Sequence, residues 1–153
     1  FSRNSFTASA WIDLDSLPAN AVITSKDAGG NQSEYIFRFV AGSGLSLLVS
    51  ANGDAFSGVI NPASVSVATW YFVVAWHDSV AATINIQVND GAVSSAAHAG
   101  GLFNGSAGFM IGANAGVSTW DGRIDEVGLW KRVLTAAERT RLYGAGAGLS
   151  YPF

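Results

Sequence analysis

Apolar and polar residues alternate with a period of two over much of this chain. In residues 6–14, Phe6, Ala8, Ala10, Ile12 and Leu14 fall on one side and Thr7, Ser9, Trp11 and Asp13 on the other, the pattern of a strand with one face in a core. Runs rich in β-branched and aromatic residues at 21–26, 34–40, 45–50, 55–60, 70–77, 83–89, 92–95, 109–112 and 123–130 predict further strands. Gly29-Gly30-Asn31, Gly42-Ser43-Gly44 and Asn89-Asp90-Gly91 punctuate them. Asn52-Gly53 predicts a type I′ hairpin, because Asn and Gly both tolerate the positive φ that this turn needs. Many short strands at this spacing read as an all-β sandwich or barrel.

The period changes to that of a helix only near the end. Thr135 is placed to act as N-cap, Glu138 completes a T-x-x-E capping box, and Gly144 is suited to a left-handed C-cap after Leu142-Tyr143. The pattern predicts one short helix plugging an end of the sandwich. Gly144-Ala145-Gly146-Ala147-Gly148 then reads as flexible punctuation before Tyr151-Pro152-Phe153.

Composition narrows the function classes. The 153 residues suit one domain, 1–153, large enough to bury a core without staples. Charged residues make up only 12% and the formal net charge is −3, so the basic footprint of a nucleic-acid binder is missing. No apolar run reaches the ~18 residues of a membrane span. With no cysteine there is no disulfide, thiol nucleophile or Cys-held zinc. The opening Phe1-Ser2-Arg3 has neither an initiator Met nor a basic-then-apolar leader, which suggests numbering that starts inside a longer or processed product.

Four segments, taken in order, carry a family resemblance. They are Ser5-Phe6-Thr7-Ala8-Ser9-Ala10-Trp11-Ile12, Ile23-Thr24-Ser25-Lys26, the run Thr69 to Trp76, and Asp121-Gly122-Arg123-Ile124-Asp125-Glu126-Val127-Gly128-Leu129-Trp130 followed by Leu134-Thr135-Ala136-Ala137-Glu138. In order and spacing the chain resembles the laminin-G-like, concanavalin A-like lectin-glucanase jelly-roll family. The resemblance implies an all-β concanavalin A-like jelly-roll β-sandwich of two antiparallel sheets with one short C-terminal helix. It also implies a structural calcium ion on the outer sheet, with Asp125 as one ligand and main-chain carbonyls of the N-terminal region as others. Relatives carry further strands ahead of the first one here, so an edge strand is expected to be absent or supplied by another chain.

The same family contains glycoside hydrolases, which need two carboxyls flanking the scissile bond. Glu occurs only at positions 34, 126 and 138. Asp125 and Glu126 are neighbours in a predicted strand, so strict alternation sends them to opposite faces. His77 and His98 have no serine elbow beside them, and His77 next to Asp78 reads as a hydrogen-bonded strand end. The chain is therefore expected not to be an enzyme.

Sugar binding calls for exposed aromatic faces beside hydrogen-bonding groups. Trp11, on the less apolar side of its strand, Trp120, in a Gly-rich loop, and Arg38, between Phe37 and Phe39, are the candidate ligand-binding residues. Trp70, Trp76 and Trp130 read as core. The leading expectation is a lectin-like recognition or adhesion module for a glycan or protein partner, acting outside the cell, on a cell surface or on a virion surface. Two alternatives stand beside it. One is a display or virion decoration domain that binds another copy or a scaffold protein through an open sheet edge; the other is an accessory domain of a polysaccharide-degrading enzyme.

Overall fold

The computed structural model of the chain describes residues 5–115 and 118–149. The strands are β1 (Phe6–Leu14), β2 (Asn20–Lys26), β3 (Tyr35–Val40), β4 (Gly44–Ser50), β5 (Phe56–Asn61), β6 (Tyr71–Asp78), β7 (Thr83–Val88), β8 (Ser94–Ala97), β9 (Met110–Ile111) and β10 (Gly122–Trp130). They form two antiparallel five-stranded sheets, one ordered β10-β1-β6-β7-β8 and the other β5-β4-β3-β2-β9. A helix, α1 (Ala136–Tyr143), and a 3-10 turn, Gly144–Gly146, follow. Among the described residues no helix is long and apolar enough to cross a membrane.

The alternation in β1 sets the core. Phe6, Ala8, Ala10, Ile12 and Leu14 are all sealed between the sheets. They meet Ala21, Ile23, Tyr35, Phe37, Phe39, Leu45, Leu47 and Val49 from the second sheet. Phe6 lies 4.7 Å from the Tyr35 ring, centroid to centroid, and so ties the two layers together. Fully burying side chains of this size contributes about 1.5–3 kcal/mol each.

Helix α1 does not plug an end of the sandwich, as the sequence suggests, but lies across the outer face of the β1–β6 sheet. The reason is a second apolar surface: Trp11, Phe72, Val74 and Trp76 point away from the main core and pack against Val133, Leu142 and Tyr143. Tyr143 stacks on Trp11, with ring centroids 6.0 Å apart. Arg139 lays its guanidinium over Trp76 at 4.3 Å and donates to Gln87 Oε1 (2.8 Å) and the Leu134 carbonyl (2.6 Å). Polar residues on the outer side of β1 hold the approach to the helix. Thr7 Oγ1 donates to the Arg132 carbonyl and accepts from Leu134 N–H. Both caps form as the sequence predicts: Thr135 accepts from Glu138 N–H, and Gly144 adopts φ 58.

The turns depart from expectation at one place. Asn52-Gly53 is not a type I′ turn; β4 and β5 are joined through residues 51–55, and Asn52 Oδ1 accepts the N–H groups of Asp54 and Ala55. The side chain supplies the turn's acceptor, so only Gly53 takes positive φ there. The paired positive φ values of a type I′ turn occur instead at Asn89 and Asp90, closed by Gly91 N–H to the Val88 carbonyl at 2.8 Å.

Two expectations follow. Phe6→Ala opens a cavity at the contact between the sheets and should lower unfolding stability by about 3–5 kcal/mol in urea titration. Glu138 is held at about 2 rather than 4.5, first by its hydrogen bonds from Arg132 and then by the Thr135 backbone. A depressed carboxylate stabilises the fold above its unfolded pKa and loses that contribution as pH falls through the folded one. Wild-type stability should therefore drop between about pH 4.5 and pH 2 by more than that of Glu138→Gln, measured as melting temperature against pH.

Candidate pocket on the outer face of the first sheet

β1 and β10 pair with a break in register. Ser9 faces Gly128 and Trp11 faces Asp125, so β10 carries an extra residue between those points. Glu126 takes φ 47, the left-handed region that costs a non-glycine residue on the order of 1–2 kcal/mol. Such a bulge re-aims side chains. Ile124, Val127 and Leu129 pack toward the main core, while Asp125 and Glu126 both line the same outer-face pocket. The expectation that the two acids point to opposite faces is thus overturned: strict alternation fails where a strand holds an unpaired residue.

The pocket, of about 230 Å³, is lined by Trp11, Trp70, Asp125, Glu126, Gly146, Ala147 and Gly148. A neighbouring hollow of about 380 Å³ shares Asp125 and Glu126 and continues along Gly128 and Trp130. Trp70 stands one residue before β6 and is 38% exposed, so it is not core as the sequence suggests. It belongs to the row Trp70, Phe72, Val74, Trp76 on the outer side of the sheet. The Arg123 guanidinium sits 5.4 Å from the Trp70 ring centroid and is ion-paired with Asp13. Of the other two tryptophans read as core, Trp76 is buried and Trp130 half-buried beside the neighbouring hollow.

Trp11 is only 8% exposed, yet its Nε1–H has no hydrogen-bond partner among the described residues. A donor left unpaired in a buried position carries a penalty of about 1–3 kcal/mol. The Gly/Ala tail expected as flexible punctuation is seated here. Gly148 adopts φ +71 in a gap where a Cβ would stand 3.0 Å from Glu126 Oε2 and 3.1 Å from Trp11 Nε1. Leu149 N–H donates to Glu126 Oε2 (3.2 Å), and Asp125 Oδ1 accepts Glu126 N–H (2.7 Å).

Of the four site residues read from the sequence, the structure brings Trp11 and Asp125 together. Arg38 stands on β3 in the other sheet, in register with Val22 and Ser46 and half-buried. Trp120 packs against the main core, and its Nε1 donates to the Asp13 carbonyl at 3.2 Å. Sequence reasoning missed Trp70 and Glu126. The period-two row through Trp70 and Trp76 was a legible sign of an outer-face position, whereas nothing local marks the bulge. Among the described residues no group of three or more His, Asp or Glu side chains could hold a metal. Two carboxylates fall short of the six to eight oxygens of a calcium sphere. Of the carbonyls expected from the N-terminal region, those of residues 1–4 lie outside the described residues.

The other titratable residues weighed in the sequence make local contacts. Glu34 is buried against Lys26, and Lys26 Nζ also donates to the Gly105 carbonyl at 3.0 Å. The His98 ring bonds the Gly101 carbonyl at 2.6 Å and meets His77 edge to face at 5.3 Å. Asp78 Oδ1 accepts from Val80 and Ala81 N–H, closing the turn after β6.

The concanavalin A-like lectin/glucanases superfamily profile matches residues 1–138. The chain belongs to that superfamily. No curated protein matches it in sequence. Among solved structures, a Bacteroides ovatus protein assigned to carbohydrate binding is 21% identical with a TM-score of 0.71, over 92% of this chain and 41% of that one. The CBM40 of the Ruminococcus gnavus IT-sialidase, bound to α2,3-sialyllactose, is 16% identical with a TM-score of 0.75, over 92% and 83%. A botulinum neurotoxin type C structure, whose cell entry depends on two ganglioside molecules, is 15% identical with a TM-score of 0.67, over 93% and 36%. The chain thus spans less than half of the Bacteroides and botulinum proteins, and at these identities the likeness is one of fold.

Gly148→Ala should disturb the tail seat. The new Cβ must take positive φ and press on the Glu126 carboxylate, so stability should fall by about 1–2 kcal/mol in denaturant titration.

Proposed function

We propose that this lectin fold serves as a non-catalytic module that binds a glycan in the pocket between Trp11, Trp70, Asp125 and Glu126. The observation that carries the reading is the convergence of Trp70, 38% exposed, with two carboxylates in one concavity. A sugar ring stacks its C–H face on an aromatic ring and donates its hydroxyls to acceptors at the edge, and a few polar groups in an otherwise apolar hollow supply orientation. The solved neighbours that bind sialyllactose or depend on gangliosides support the same reading.

Catalysis finds less support. Hydrolysis needs carboxyls on either side of the scissile bond, and Asp125 and Glu126 are consecutive residues on one wall. The superfamily's description nevertheless includes glucanases, so glycan binding is assayed together with release of reducing ends, and none is expected. In this reading calcium has no part in the pocket. Chelator should leave affinity unchanged, and a gain in affinity with calcium that Asp125→Ala abolishes would restore the ion.

The test is isothermal titration and affinity electrophoresis against a panel of neutral, amino and sialylated oligosaccharides. At least one class should bind the wild type, and Trp70→Ala should weaken it by about tenfold or more, the loss of one stacking contact. No binding across the panel, or binding indifferent to Trp70→Ala, sinks the proposal.

A further inference from the structure

We propose that the pocket selects saccharides carrying a protonated amine, of the glucosamine type, and rejects acidic sugars such as sialic acid. This rests on the glycan-binding reading above and deepens it.

The charge of the site points this way. The residues lining the pocket and its neighbouring hollow include Asp125 and Glu126 but no Lys, Arg or His. The guanidinium that touches the pocket's Trp70, that of Arg123, is paired with Asp13. Two carboxylates lining one pocket repel one another, and a cation bound in it relieves that repulsion. The bulge holds them so, with Glu126 in the left-handed region, a strained conformation of the kind that collects at functional sites.

The other walls suit the same ligand. The Trp70 ring, 38% exposed, already holds one cation, the Arg123 guanidinium at 5.4 Å, and an aromatic ring of this kind attracts positive charge to its faces. Trp11 is a second, independent observation at the site: a side chain more than nine-tenths buried that lines the pocket, with its Nε1–H set against Gly148 and without a hydrogen-bond partner among the described residues. An ammonium group donates charge-assisted hydrogen bonds to the carboxylates. A sialoside would bring a third carboxylate to the two already there, and a site can reject a ligand by such repulsion alone.

The experiment titrates the whole protein, in chelator and below the amine's pKa, with three probes: a glucosamine trimer, its N-acetylated counterpart and α2,3-sialyllactose. The amine-bearing trimer should bind at least about tenfold more tightly than the acetylated one, the scale of one charge-assisted contact. That preference should shrink at high salt and disappear in Glu126→Gln, while sialyllactose gives no heat. Asp54→Asn, in an exposed turn on the other sheet, removes the same charge elsewhere and should leave the preference intact. Sialyllactose binding as tightly as the trimer, or equal weakening by Asp54→Asn and Glu126→Gln, overturns the inference. If the acetylated trimer binds while the amine adds nothing, the selectivity fails and the glycan-binding reading survives; if no saccharide binds, that reading fails as well.

Discussion

A row of large apolar side chains on the wrong side of a sheet shapes this molecule. Trp11, Phe72, Val74 and Trp76 face away from the space between the sheets, and leaving them in water would forgo several kcal/mol of burial. The chain covers them with α1, which brings Leu142 and Tyr143 onto the row and seats Arg139 on Trp76. Once the helix is fixed, the Gly144 cap turns the tail back over the sheet and lays Gly148 against Trp11 and Glu126. The pocket lies beside that tail, between Trp11, Trp70, Asp125 and Glu126.

The second constraint is the bulge in β10. A regular strand would have sent one of Asp125 and Glu126 to the core side, where an unpaired carboxylate is prohibitively costly. One extra residue against β1 lets both face outward, with Val127 and Leu129 still packed toward the core. Chemistry in this site therefore comes from a defect in the ladder.

Much of the architecture was legible in the chain. The alternation from Phe6 to Leu14 named the buried face of β1, and Thr135, Glu138 and Gly144 marked both ends of the helix, because caps and pleats depend on the few residues nearest them. The Asn89-Asp90-Gly91 turn was found for the same local reason. At Asn52 the same logic failed, because a side-chain oxygen could satisfy the N–H groups that a type I′ turn leaves to the backbone.

Sequence alone thus determined a two-sheet sandwich, the inward face of its strands and a capped helix at the end, all set by short-range periodicity and by the demand that backbone groups be paired. Only the tertiary structure decided where the helix lies, that Trp70 is exposed while Trp11 is covered, and that Asp125 and Glu126 share a pocket. Those outcomes depend on register between strands distant in the chain. A one-residue offset between β1 and β10 changes which side chains share a face, and no local pattern in either strand records it.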